Sequence, residues 1–310
     1  GVDLSRYAGV TDQVTVDGSL YELPFRNDFW VLFYNKDIFD AAGVEYPTND
    51  MTFEEYDALA RQVADPTFGA QVYGTHYHTW RSAVQLFGVL DGKHSILDGE
   101  YDFFKPYYEM VLGQEDDQIC RNYADLSAEG LHYSAAFSGG DVAMMNMGSW
   151  FISTMIANLQ SGEYDSSLCG NWGMVKYPHA EGVEAGSTLG TITGLSVTSV
   201  SEQKQAAFDF VAWVSGAEGA KVMAETGNFP ALMNDEVAGI ISGLDGFPTD
   251  DASKEALNVS NLYLEVPYAE NVSAINDILD TYHKSIMNRE ISIDDGIAAM
   301  NEEVGKVLAQ

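Results

Sequence analysis

The sequence predicts an α/β fold with a mostly parallel sheet, and three observations carry that prediction. Short apolar runs that suit strands alternate with longer stretches of helical periodicity. Residues 29–34, FWVLFY, are apolar without interruption, as a strand covered on both faces would be. With 310 residues, 46% of them hydrophobic, the chain can bury one large core or two medium ones.

Each element has its own warrant. Residues 16–24, VDGSLYELP, suit two short extended pieces joined at Asp17-Gly18. After the apolar run, Asn35 and Asp37 open a helical segment that Gly43 closes. Thr52 is placed to cap the next helix, and Glu55, three residues on, completes a capping box. Tyr56, Leu59, Ala60 and Val63 form that helix's apolar stripe. Helical patterns recur at 80–90, 101–113 and 149–160. Residues 142–147, VAMMNM, suit a buried strand running into Gly148, and 191–198 suit another. Ser201 is expected to cap a helix with the stripe Ala207, Phe210, Val211 and Val214, ended by Gly216. A short helix then runs to Gly227, and the last 45 residues read as helical, with breaks near Asn288 and Ser292. The chain has no internal repeat, no low-complexity tract and no Pro/Gly-rich tether, so two lobes would have to join through structured crossings.

Charge narrows the partners. A formal net charge of −32 repels phosphate backbones and argues against nucleic acid and against a polybasic membrane contact. The acidity is read as solubility rather than as a binding site. No run approaches the ~18 apolar residues that span a bilayer. Cys120 and Cys169 make no disulfide framework; a single bridge between them stays open, and neither has a partner at zinc spacing.

Enzyme motifs are missing. There is no dinucleotide or phosphate-cradling glycine loop, no nucleophile elbow and no HExxH. His76 and His78, two apart, would share one face of a strand, but ordinary hydrogen bonding explains them better than a metal pair. Asp102, Asp116, Asp117, Asp250 and Asp251 suit solvated faces. No catalytic residue, metal or cofactor is expected.

Four segments carry a resemblance. Residues 17–43 read DGSLYELPFRNDFWVLFYNKDIFDAAG: a hairpin ending in Leu-Pro, a polar gap, an apolar strand, then Tyr-Asn-Lys-Asp and a glycine-ended helix. Thr52 to Tyr56, TFEEY, start a helix; GGDVAMMNMGSW fills 139–150; and 193–232 lead from GLSV through AAFDFVAWV to GNFPAL. In order and spacing these resemble the extracellular solute-binding proteins that deliver sugars to ABC importers, the group that includes maltose-binding protein. The resemblance implies a two-lobed, type II periplasmic-binding-protein-like fold with the ligand in the cleft. Residues 1–27 would be a remnant of the N-terminal lobe and 28–190 the C-terminal lobe. Residues 191–262 would return to the N-terminal lobe, and 263–310 would be closing helices of the C-terminal one. The family pattern opens with on the order of a hundred more residues, an estimate from domain size. The N-terminal lobe is therefore expected to be incomplete here, with any lipid-bearing cysteine outside this chain.

A sugar site needs flat aromatics for ring faces and polar side chains for hydroxyl edges. Trp150 follows Gly148-Ser149 at a strand-to-helix turn and matches a family ligand platform. Asp28, in the polar gap, matches a family acid that bonds hydroxyls; a salt bridge to Arg26 is the competing reading. Asn27 is its companion. Tyr77 and His78, in THYHTW, match an aromatic ligand segment, although Thr75 stands where that pattern has an acid. Phe229, in the GNFPAL loop, is the remaining candidate. Trp80, Trp172 and Trp213 are expected in the core. The expected function is a monomeric extracellular receptor that closes on a mono- or oligosaccharide and docks on a permease. The same fold carrying another solute, such as a polyamine, is the alternative, and a glycoside hydrolase is the remote one.

Overall fold

The computed structural model describes residues 2–7, 10–67 and 71–309. A short helix α1 (Val10–Gln13) precedes the hairpin β1 (Thr15–Val16) and β2 (Ser19–Leu20). Asp17 and Gly18 both take positive φ, 49° and 73°, the pairing a two-residue hairpin turn needs. The long strand β3 (Leu23–Asn35) follows, and Asn35 caps α2 (Lys36–Ala42), with left-handed Gly43 at its end. The capping box of Thr52 and Glu55 opens α3 (Phe53–Val63), whose Phe53, Tyr56, Ala60 and Val63 are buried.

Next come α4 (Ser82–Val89), α5 (Lys105–Asp116), α6 (Tyr123–Glu129) and α7 (Tyr133–Ser138). Strand β4 (Met144–Gly148), helix α8 (Trp150–Ser161), α9 (Ser166–Cys169) and β5 (Trp172–Lys176) bring the chain back beside β3. Strand β6 (Ser187–Leu195) leads to α10 (Lys204–Val214), α11 (Ala217–Ala224), α12 (Asp235–Ser242) and α13 (Asp251–Glu255). Strand β7 (Asn261–Leu264) precedes the closing helices α14 (Val272–Met287) and α15 (Ile293–Leu308).

The expectation of a mostly parallel sheet does not hold among these strands. β3 pairs antiparallel with β4 and β5 through its second half and with β6 through its first, and only β6 and β7 pair parallel. Alternation of strands and helices sets the order of elements. Direction depends on which end of the sheet each helix returns the chain to, and periodicity carries no signal for that.

β3 is shared by two sheets, and it changes partners between Phe29 and Trp30. Its alternation also separates two apolar clusters. Trp30, Leu32 and Tyr34 enter one with Tyr56, Phe87, Tyr108 and the closing-helix residues Ile275, Leu279 and Met300. Phe29, Val31 and Phe33 enter the other with Phe151, Phe229 and Ile241. The helix α13 packs on β5. There Ser253 Oγ accepts from Met174 N at 3.1 Å and Lys176 meets Glu255 at 2.8 Å.

The helix after β6 differs from expectation. Its N-cap is Gln203 rather than Ser201, and Gly216 opens α11 instead of ending α10. Of its expected stripe only Val211 is buried; Phe210 is 61% exposed, and Trp213, expected in the core, is 51% exposed. Trp172 is in the core, as read.

Candidate functional site

The site grows from the point where β3 changes sheets. Arg26, Asp28 and Trp30 stand on one face by alternation, and Thr191 of β6, register partner of Asp28, shares that face. Asp28 is buried. Its Oδ2 lies 2.6 Å from Arg26 Nε, and its Oδ1 accepts from Ser149 Oγ at 2.8 Å. Ser149 Oγ also accepts from Phe29 N at 3.3 Å, and Ser149 N donates to Phe29 O at 2.7 Å, so the β4–α8 turn is stitched to β3. Burial raises the Asp28 carboxyl pKa; the Arg26 charge and the Ser149 bond offset this in part.

The same turn sets Trp150. A Cβ on Gly148 would lie 2.1 Å from the Trp150 ring, so only glycine lets the indole lie against the strand end. Trp150 meets Trp30 at 6.0 Å and Trp80 at 6.2 Å, both edge-to-face. Trp30 is buried at the base, whereas Trp80 is 38% exposed. Behind Trp80, buried Arg81 donates from Nε and Nη2 to Asn276 Oδ1 at 2.8 and 2.5 Å, tying the start of α4 to α14. His78 packs edge-on to Trp80 at 4.5 Å and to Tyr133 at 5.3 Å, and His132 adjoins Tyr133 at 4.0 Å. Burial pushes the His78 pKa down to about 4, with His132 adding to the shift, so His78 is neutral at physiological pH. The result is an aromatic corner with a buried acid, an arginine and a hydroxyl beside it. On the Thr191 side it adjoins a cavity of about 720 Å³ that also involves Glu265 and Tyr268, and Thr191 Oγ1 donates to Glu265 at 3.2 Å.

The structure thus brings together Trp150, Asp28 and His78 and separates the other three candidates. Asn27 points to the opposite face of β3, beside Phe29. Tyr77 is buried, with its hydroxyl donating to Gln114 Oε1 at 2.7 Å, because adjacent residues of an extended segment point opposite ways. Phe229 is fully enclosed, edge-on to Phe29 at 4.9 Å. Its loop is paired to β3, with Asn27 N donating to Phe229 O and Ala231 N to Phe25 O, and this carries the ring into the core.

Sequence reasoning missed Trp80, Tyr133 and His132. Trp80 lay in the aromatic cluster already singled out, so the signal for it existed. Nothing in the spacing points to the other two. Among the described residues no three His, Cys, Asp or Glu side chains gather as a metal-holding group. The corner can stack ring faces and bond neutral polar groups.

Comparison with known proteins gives a family and a fold. The profile of the family described as bacterial extracellular solute-binding protein matches residues 2–242. Among solved structures, a sugar transporter of Rhizobium etli in an open conformation is 48% identical, with TM-score 0.89, over 98% of this chain and 76% of that one. An ABC substrate-binding protein of Listeria monocytogenes in complex with cycloalternan is 23% identical, with TM-score 0.80, over 99% and 76% of the two chains. The sugar-binding protein MalE of Xanthomonas citri is 19% identical, with TM-score 0.71, over 97% and 74%. The last two show the fold alone, which is the two-lobed periplasmic-binding-protein-like one. No curated protein matches.

Proposed function

We propose a function from the premise that this chain belongs to the family of bacterial extracellular solute-binding proteins. It is the substrate-capturing component of an ABC importer, and its ligand is a carbohydrate. The observation that carries this is the aromatic corner of Trp150 and Trp80 beside Asp28 and Ser149. Indole faces suit the apolar faces of sugar rings, and the polar flank suits their hydroxyl edges. The Rhizobium etli sugar transporter, nearly half identical, supports the same ligand class.

Closure is proposed to hinge where β3 changes sheets, at Phe29 and Trp30, so that the bound sugar is read from both sides of the crossing. The closed form would then dock on permease subunits as a monomer, held to the membrane by a lipid anchor outside this chain. A cationic ligand is less well served. The charge of Asp28 already faces Arg26 at 2.6 Å, and the carboxyl is buried. A thermal-shift screen against oligosaccharides, polyamines and anions tests the reading. A sugar at a hundred times its Kd should stabilise the fold by about 2.7 kcal/mol. A response to polyamines and to no sugar would overturn it.

A further inference from the structure

On the side of β3 away from the aromatic corner lies a second cavity, of about 580 Å³. That is within the ~300–1,000 Å³ range of small-molecule sites. Its polar lining is Gln13, Asn27, Asn234, Asn258, Ser260 and Asn261, set among apolar residues such as Phe29 and Leu262. Among the described residues that line it there is no Asp, Glu, Lys, Arg or His. This is notable in a chain with 47 acidic and 15 basic residues out of 310.

The amides are only partly used by the fold. Asn234 Oδ1 caps α12 by accepting from Val237 N at 2.9 Å. Asn258 Nδ2 donates to Glu255 Oε2 at 2.7 Å, and Asn261 Nδ2 donates to Ser187 Oγ at 3.1 Å. The other ends of these amides make no hydrogen bond among the described residues. Asn27 lines the cavity, and its Oδ1 is buried with no hydrogen-bond partner among the described residues.

We propose that this cavity is a second binding site, for a small neutral solute rich in hydroxyl or amide groups, such as a polyol or a free sugar. Amides offer donors and acceptors together, which matches hydroxyls that both give and take hydrogen bonds. Among the described lining residues a cation would find no carboxylate and an anion no basic side chain, and an anion would also meet the field of the acidic surface. The site stands on its own lining and does not depend on what the aromatic corner binds.

The test follows the side-chain amide resonances of the ¹⁵N-labelled chain while myo-inositol or glucose is added at millimolar concentration. Acetate and methylammonium serve as charged probes, and Asn27 is assigned by substitution. The expected result is a saturable shift of the Asn27, Asn258 and Asn261 amides with the neutral probes alone. The shift of the remaining amides should disappear in Asn27→Leu, and also in Ala238→Phe, which fills the cavity without removing a polar group. It should persist in Trp150→Ala. Two variants guard against misfolding in either one, and melting curves confirm that each folds. The proposal is overturned if no neutral probe shifts these amides. It is equally overturned if the charged probes shift them as much, if a folded cavity variant keeps the response, or if Trp150→Ala abolishes it.

Discussion

Between residues 26 and 30, β3 turns Arg26, Asp28 and Trp30 to one side and Asn27 and Phe29 to the other. The first side carries an ion pair at 2.6 Å, a buried acid and a corner of indole rings. The second carries carboxamides and, among its described lining residues, no Asp, Glu, Lys, Arg or His. One strand thus builds two chemically opposite environments, because its period of two sends neighbours apart. The chemistry around a residue therefore follows from its parity, not from its proximity in sequence. Asn27 and Asp28 are neighbours in the chain and face different environments.

The strongest way to break the corner side is Gly148→Ala. The added Cβ would meet the Trp150 ring at 2.1 Å, so the ring must move. Overpacking of this kind should lower stability by ~1–3 kcal/mol. Sugar affinity by calorimetry should fall about tenfold or more, while the reverse-face amides keep their response.

Acid sharpens the contrast at intermediate size. Burial raises the Asp28 pKa, so its proton returns as pH falls before ordinary carboxylates titrate. For stability the sign is the reverse of the usual acid. The folded form binds this proton more readily than the unfolded chain, so the Asp28 contribution grows as pH falls and is lost as pH rises through the raised value. Affinity at the corner should therefore change on mild acidification, with Asp28→Asn suppressing part of the change. His78, with its pKa near 4, stays neutral over most of that range. Binding on the Asn27 side, measured over the same range while the fold persists, should stay flat.

The smallest effect belongs to α10. Phe210 and Trp213 are 61% and 51% exposed, so Phe210→Ser should change stability by no more than ~0.5 kcal/mol. A loss comparable to a core truncation, seen by denaturant unfolding, would mean that this face packs more than its exposure indicates.

Local chemistry was legible in the sequence where the deciding contacts are local. The Asp17-Gly18 turn, the Thr52–Glu55 capping box, the Asn35 cap with Gly43, and the buried strand at 29–34 all rest on residues a few positions apart. Sheet direction was not legible, since residues far apart in the chain decide it. The stripe on α10 had the same 3.6-residue period as that on α3, yet only Val211 is buried against a partner. Period reveals which face is apolar and is silent about what covers it. That Trp150 and Asp28 lie together was legible because motif and turn place them. Tyr133 and His132 arrive from α7 and its cap, and no spacing links them to Trp80. Phe229 misled because its loop is paired to β3 rather than free.

The central claim is that Trp150 and Trp80 form the platform on which a carbohydrate stacks. It is tested most directly by calorimetric titration of the best-responding oligosaccharide into the chain and into Trp150→Ala and Trp80→Ala. The account predicts that each variant, still folded by melting, loses roughly 1–3 kcal/mol of binding, about ten- to a hundredfold in Kd. Affinities within twofold of the parent in both variants would contradict it.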